Sequence, residues 1–218
     1  MKKLNAAFLI ALIVATFISC KKDDVKSKQT VVYETDFSSD DGHWYRGTTS
    51  NNTVISINNG YYTFNSGAAG GWAAWLTPVF NSAIGNAGIE ASVKLATTGP
   101  ATWGNGALLW NVRGSNNTGD FTAKTFYISH NGYYTIAALY EDGSRETFVD
   151  WTLNSSIKQG QFNILKILSK NDKLHFYINN QEVYNMNDAS GFVTLDKVGL
   201  EVSKYTNMQV DYFKATTF

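Results

Sequence analysis

The chain has 218 residues, with 18 basic and 18 acidic side chains and no formal net charge. That balance, without any basic patch, excludes the electrostatic footprint of a nucleic-acid-binding protein. One cysteine, Cys20, excludes an internal disulfide. From the N-terminus, Lys2 and Lys3 precede an apolar run from Ala6 to Ile18 that ends at the small residue Ser19. A bilayer-spanning helix needs about 20 apolar residues. The shorter run reads as a signal peptide over residues 1–19, with a short uncleaved anchor as the alternative. Lys2 and Lys3 are the only charges in that segment, so the remainder carries a net charge of −2. Residues 20–30, beginning CKKDDVKSKQT, have no aromatics and no periodicity and read as a flexible tether.

A single domain is expected over residues 31–218. Six Trp, twelve Tyr and thirteen Phe stand against two prolines, and Gly, Asn, Ser and Thr fall mainly between apolar runs. VVYETDF opens the strands, and TVISI and YYTFN follow around Asn59-Gly60, a pair that tolerates positive φ and marks a hairpin. GIEASVKL places Ile89, Ala91, Val93 and Leu95 on one face. GALLWNVRG alternates Leu108, Trp110 and Val112 toward the core with Leu109, Asn111 and Arg113 outward. KTFYISH leads through Asn131-Gly132 into YYTIAALY, and EDGSRE reads as a hairpin tip. QFNILKILSK aligns Phe162, Ile164 and Ile167. KLHFYINN directs Leu174, Phe176 and Ile178 inward, with His175 and Tyr177 outward, and turns at Asn179-Asn180 into QEVYN. VTLDKVGLEV and MQVDYFKA close the chain. About a dozen antiparallel strands without a helix predict an all-β sandwich or barrel.

Two resemblances sharpen this. FISC, Phe17–Cys20, resembles a bacterial lipobox, although Phe17 stands where Leu is commoner. The resemblance implies that Cys20 is acylated as the new N-terminus, and two or more acyl chains hold a protein firmly to a membrane. A free thiol or an intermolecular disulfide is the alternative. KKDD after it is similar to the export signal of Bacteroidetes surface lipoproteins, or is a plain solvated charge run. Together these imply an outer-membrane lipoprotein exposed at the cell surface, with membrane contact through the lipid alone. FNILKILSKNDKLHFYINNQEVYN, TDFSSDDGHWYRG and VGLEVSKYTNMQVDYFKA resemble strands of concanavalin A-like (laminin G-like) jelly rolls. That resemblance implies a jelly-roll β-sandwich over residues 31–218, in a class that holds glycan-binding modules and laminarinase-type hydrolases.

The hydrolases of that class carry E-x-D-x-x-E on one strand, and this sequence has no such run. His43, His130 and His175 lie far apart, no G-x-S-x-G is present, and GSNNTG and GPATWGNG do not join a strand to a helix. No cofactor is expected; the jelly-roll resemblance leaves room for a structural calcium ion held by Asp36 or Glu34 with Asp211, with bare charges near each terminus as the alternative. The remaining signal is aromatic and polar: flat rings that stack on a sugar's C–H face beside amides that bond its hydroxyls. Trp103, Asn105, Asn111, Arg113, Tyr127 and Tyr133 are the candidate ligand-binding residues, with Trp72 and Trp75 as a rim. The expectation is a non-catalytic surface domain that binds a polysaccharide or glycan. The alternatives are a hydrolase with an atypical carboxylate pair and a structural or protein-binding module.

Overall fold

A computed structural model describes residues 29–76, 86–100, 104–114, 121–187, 195 and 197–218. Fifteen strands run through them. The first five are β1 (Thr30–Thr35), β2 (Gly47–Thr48), β3 (Val54–Asn58), β4 (Tyr61–Asn65) and β5 (Trp72–Trp75). Then come β6 (Ala87–Thr97), β7 (Asn105–Gly114), β8 (Phe121–Ser129), β9 (Tyr133–Leu139) and β10 (Arg145–Leu153). The last are β11 (Asn163–Lys170), β12 (Lys173–Ile178), β13 (Gln181–Asn187), β14 (Gly199–Val202) and β15 (Thr206–Thr217).

They form two antiparallel sheets. Sheet A has nine strands in the order β13-β12-β11-β6-β15-β4-β3-β2, with β1 paired to β15. Sheet B has six, in the order β10-β9-β8-β7-β14-β5. Side chains from both meet between the layers. Trp110 and Phe126 of sheet B each place their ring centroid 5.4 Å from that of Phe176 in sheet A. Burying rings of this size contributes about 1.5–3 kcal/mol each for an ordinary large side chain. The all-β jelly-roll expectation is met.

Turn chemistry follows the sequence. Asn59 and Gly60 both take positive φ, 53° and 76°, between β3 and β4, and Asn179 and Asn180 do so between β12 and β13. These are the twists that two-residue hairpins demand. Two strand faces differ from the alternation read in the sequence. In β11 the buried set is Asn163, Leu165, Ile167 and Ser169, and Phe162 lies outside, stacked on Tyr61 at 5.7 Å. Asn163 goes inward because its side chain ties the preceding loop, donating to the carbonyls of Lys158 and Gln161 and accepting from the Lys158 N–H. In β7 the register slips between Trp110 and Arg113. Asn111 there adopts φ 51°. This bulge turns Val112 away from the core expected for it and into a second apolar layer.

Candidate active site

That second layer lies on the outer face of sheet B. Ala73, Trp75, Ala107, Leu109, Val112, Ala123 and Tyr127 are buried there, with Phe121 packed against them. The face is therefore not the solvated surface that alternation alone suggests. Its polar centre is Glu201 on β14. Leu200 and Val202, on either side in the chain, are fully buried in the core, so the pleat directs Glu201 outward. Its neighbours across the sheet are both alanines, Ala73 on β5 and Ala107 on β7. Tyr127 on β8 pairs with Ala107, and Thr135 on β9 pairs with Tyr127.

Small residues beside Glu201 leave room above it, and larger ones further along reach back. The Tyr127 hydroxyl stands beside the Glu201 carboxylate and favours its charged form. The Arg145 guanidinium of β10 lies 5.4 Å from the centre of the Tyr127 ring and donates to Thr135 Oγ1 at 3.2 Å. The Oε2 atom of Glu201 is closed off from solvent and has no hydrogen-bond partner among the described residues. Burial pushes the Glu201 carboxyl up to about 7, against the opposing pull of the nearby Tyr127 hydroxyl and the Arg145 charge. The same burial, with the Glu201 charge beside it, raises the Tyr127 phenol.

Glu201 lines a cleft of about 300 Å³ together with Trp72, Trp75, Phe121, Ser203 and Lys204. One wall depends on a glycine. A Cβ on Gly71 would stand 1.9 Å from the Val202 carbonyl oxygen, so only glycine lets this loop approach β14 so closely. Lys197 Nζ sits 5.3 Å from the centre of the Trp75 ring.

The residues singled out in the sequence separate into groups. Tyr127 belongs to the Glu201 cluster. Asn105 and Tyr133 come together in a second hollow on the same face, of about 250 Å³, with Ser129, Asn131 and Trp151. Trp72 and Trp75 line the Glu201 cleft, and Trp75 is buried rather than forming an open rim. Asn111 and Arg113 line neither cavity. Asn111 is the bulge residue, and Arg113 is exposed and donates from Nη1 to the Val112 carbonyl at 3.0 Å. Trp103 and Cys20 lie outside the described residues.

Of the residues considered for calcium, Glu34 lies 3.6 Å from Lys214 Nζ, and Asp36 accepts the Ser38 N–H. Among the described residues no group of three or more His, Cys, Asp or Glu is placed to hold a metal ion. Glu201 was not among the sequence candidates. GLEV carries its signal, an acid between two core-facing apolar residues, but nothing in the sequence places Tyr127 and Arg145 beside it.

No family model and no curated protein matches the sequence. Solved structures do match the fold. The chain is similar to a structure from work on endo-acting O-glycanases that human gut microbiota express to initiate mucin breakdown. That match has 12% identity and a TM-score of 0.63, over 87% of this chain and 100% of that one. It is similar to the Bacteroides ovatus GH16 protein of a mixed-linkage glucan PUL, solved with a G4G4G3G product. Here the identity is 12% and the TM-score 0.60, over 85% and 100% of the two chains. It is also similar to the Emp46p carbohydrate recognition domain, at 14% identity and a TM-score of 0.61, over 86% and 98%. At these identities the likeness shows a concanavalin A-like jelly roll. The expectation of a non-catalytic binding domain is corrected at this point. The matched structures include glycan-cleaving enzymes as well as carbohydrate recognition domains, so the fold gives no ground for restricting it to binding, and the outer face of sheet B carries a shielded carboxyl.

Proposed function

We propose that the protein is a glycoside hydrolase on a concanavalin A-like jelly roll, acting on a polysaccharide or glycan, with Glu201 as its general acid. The observation that carries this reading is the Glu201 carboxyl, shielded in a cleft and pushed up to about 7. A carboxyl in that range keeps much of its proton at neutral pH and can deliver it to the oxygen of a glycosidic bond as the bond breaks. The Tyr127 hydroxyl and the Arg145 charge both favour the carboxylate left behind. The reaction also needs a base or nucleophile roughly 5–10 Å from the acid. Replacing each remaining Asp and Glu in turn identifies that partner. The fold neighbours that act on glucan or on mucin glycans support a glycan substrate.

The test is release of reducing ends from β-1,3-glucan, mixed-linkage glucan and mucin by purified residues 21–218. Activity on at least one is expected, and Glu201→Gln is expected to lower kcat by about 10²–10⁴. No release from any of them, or full activity in Glu201→Gln, overturns the reading.

The FISC segment supports a second part of the proposal, that Cys20 is acylated and anchors the enzyme in the outer membrane at the cell surface. In a bacterial host the full chain is expected to take up labelled palmitate and fractionate with membranes, and Cys20→Ser to do neither. Membrane retention of labelled Cys20→Ser overturns it.

A further inference from the structure

The second hollow on the outer face of sheet B has a chemistry of its own. Trp151 and Tyr133 are 43% and 37% exposed, large aromatic side chains on a face whose other rings are mostly covered. Asn105, Ser129 and Asn131 stand between them around the same 250 Å³ space. That volume lies just under the range of about 300–1,000 Å³ typical of small-molecule pockets. It suits one sugar ring rather than a chain.

The parts are held in place. Ser129 Oγ donates to Asn131 Oδ1 at 2.5 Å and accepts the Tyr133 N–H at 2.9 Å, which fixes the turn between β8 and β9. The β9–β10 pairing shifts register twice, between Thr147 and Val149 and between Val149 and Thr152. Bulges of this kind re-aim side chains at sheet edges. Here they accompany an indole ring whose centroid lies 6.3 Å from that of Tyr127, the residue beside Glu201. The hollow and the Glu201 cleft are thus joined through Tyr127. They are joined again where the Asn105 N–H meets Ser203 Oγ of the cleft at 3.2 Å.

We infer that Trp151 and Tyr133 form a remote sugar-binding subsite of the same glycan cleft, in which one pyranose ring stacks on Trp151 and its hydroxyls bond Asn105 and Asn131. The inference rests on the hydrolase reading above. An indole offers a flat apolar face, which matches the C–H face of a pyranose, and the amides supply donors and acceptors for the rim. Three strand spacings separate β14 from β9, roughly 14 Å. That is farther than a single ring extends from the bond at Glu201, so only a longer oligosaccharide engages both places. A purely apolar patch would instead suit a protein partner. The amides interleaved with the rings, and continuity with the cleft, favour the sugar.

The experiment compares wild type with Trp151→Ala and Trp151→Phe on two substrates: an aryl glycoside of one sugar, and a long oligosaccharide from whichever polysaccharide is cleaved. Trp151→Ala is expected to raise KM about tenfold on the long substrate, a loss of ~1.4 kcal/mol, while kcat/KM on the aryl glycoside stays within about twofold. Trp151→Phe should restore most of the loss. If Trp151→Ala cleaves long and short substrates as wild type does, or slows both equally, the subsite is overturned and the hydrolase reading stands. If wild type cleaves nothing but long oligosaccharides quench its tryptophan fluorescence in a Trp151-dependent way, the subsite stands and the catalytic role of Glu201 falls. Neither cleavage nor quenching overturns both.

Discussion

Glu201 ties the stability of the fold to pH. Its carboxyl titrates near 7 in the folded chain and at an ordinary carboxylate value when unfolded. Between those two values the folded state holds a proton that the unfolded state releases. The stabilisation is therefore complete below about pH 4.5 and is lost as pH rises through 7, an amount on the order of 3 kcal/mol. Glutamine has no proton to lose. Glu201→Gln is expected to exceed wild type in chemical-denaturation stability at pH 8 by up to that amount, with the difference vanishing below about pH 4.5. A difference independent of pH would show that the carboxyl titrates normally. A site with this property was only half legible in the sequence. GLEV gives an outward acid, but the burial that raises it comes from strands distant in sequence, and Tyr127 and Arg145 arrive from β8 and β10. Tyr127 itself was legible as an outward aromatic. Its role as a partner of Glu201 was not.

Strand alternation was a reliable guide wherever a strand is regular. Ile89, Ala91, Val93 and Leu95 in β6, and Leu174, Phe176 and Ile178 in β12, are all buried as their spacing indicates. The guide failed in β7, where one extra residue exchanges the faces beyond it, and in β11, where an asparagine is buried for its hydrogen bonds rather than its hydrophobicity. A bulge is set by pairing with the next strand, so no local pattern announces it. Asn111 does carry a trace of it, since asparagine tolerates positive φ better than most residues. Asn111→Val is expected to lower unfolding free energy by about 1–2 kcal/mol, because a β-branched residue is strained at φ 51°. Asn111→Gly should stay within about 0.5 kcal/mol of wild type by the same measurement, since glycine is unstrained there. Equal losses in both variants would trace the effect to the asparagine side chain instead. Gly199 marks a similar limit. It pairs with Trp75 and Leu109, and a Cβ there would meet the Ala74 carbonyl oxygen at 2.3 Å, so β5 reaches β14 only over a bare backbone.

Across the whole molecule, the aromatic-rich, many-stranded composition sufficed to read a sandwich, because turn residues recur between apolar runs throughout. The sheet order was not readable, since it joins strands from opposite ends of the chain. β15 pairs along its length with β6 on one side and is flanked on the other by β4 and then β1. The small strands β2 and β5 escaped notice as separate elements for the same reason: each is short and is stabilised by its neighbours rather than by its own pattern.

The position of β15 has a consequence for how the sandwich holds together. It is the keystone of sheet A, with β6 along one side and β4 and β1 along the other. Among the described strands, the group β13-β12-β11-β6 and the group β4-β3-β2 meet only through it. Sheet A therefore closes only when β15 docks, and withdrawing that one strand would part the layer into two.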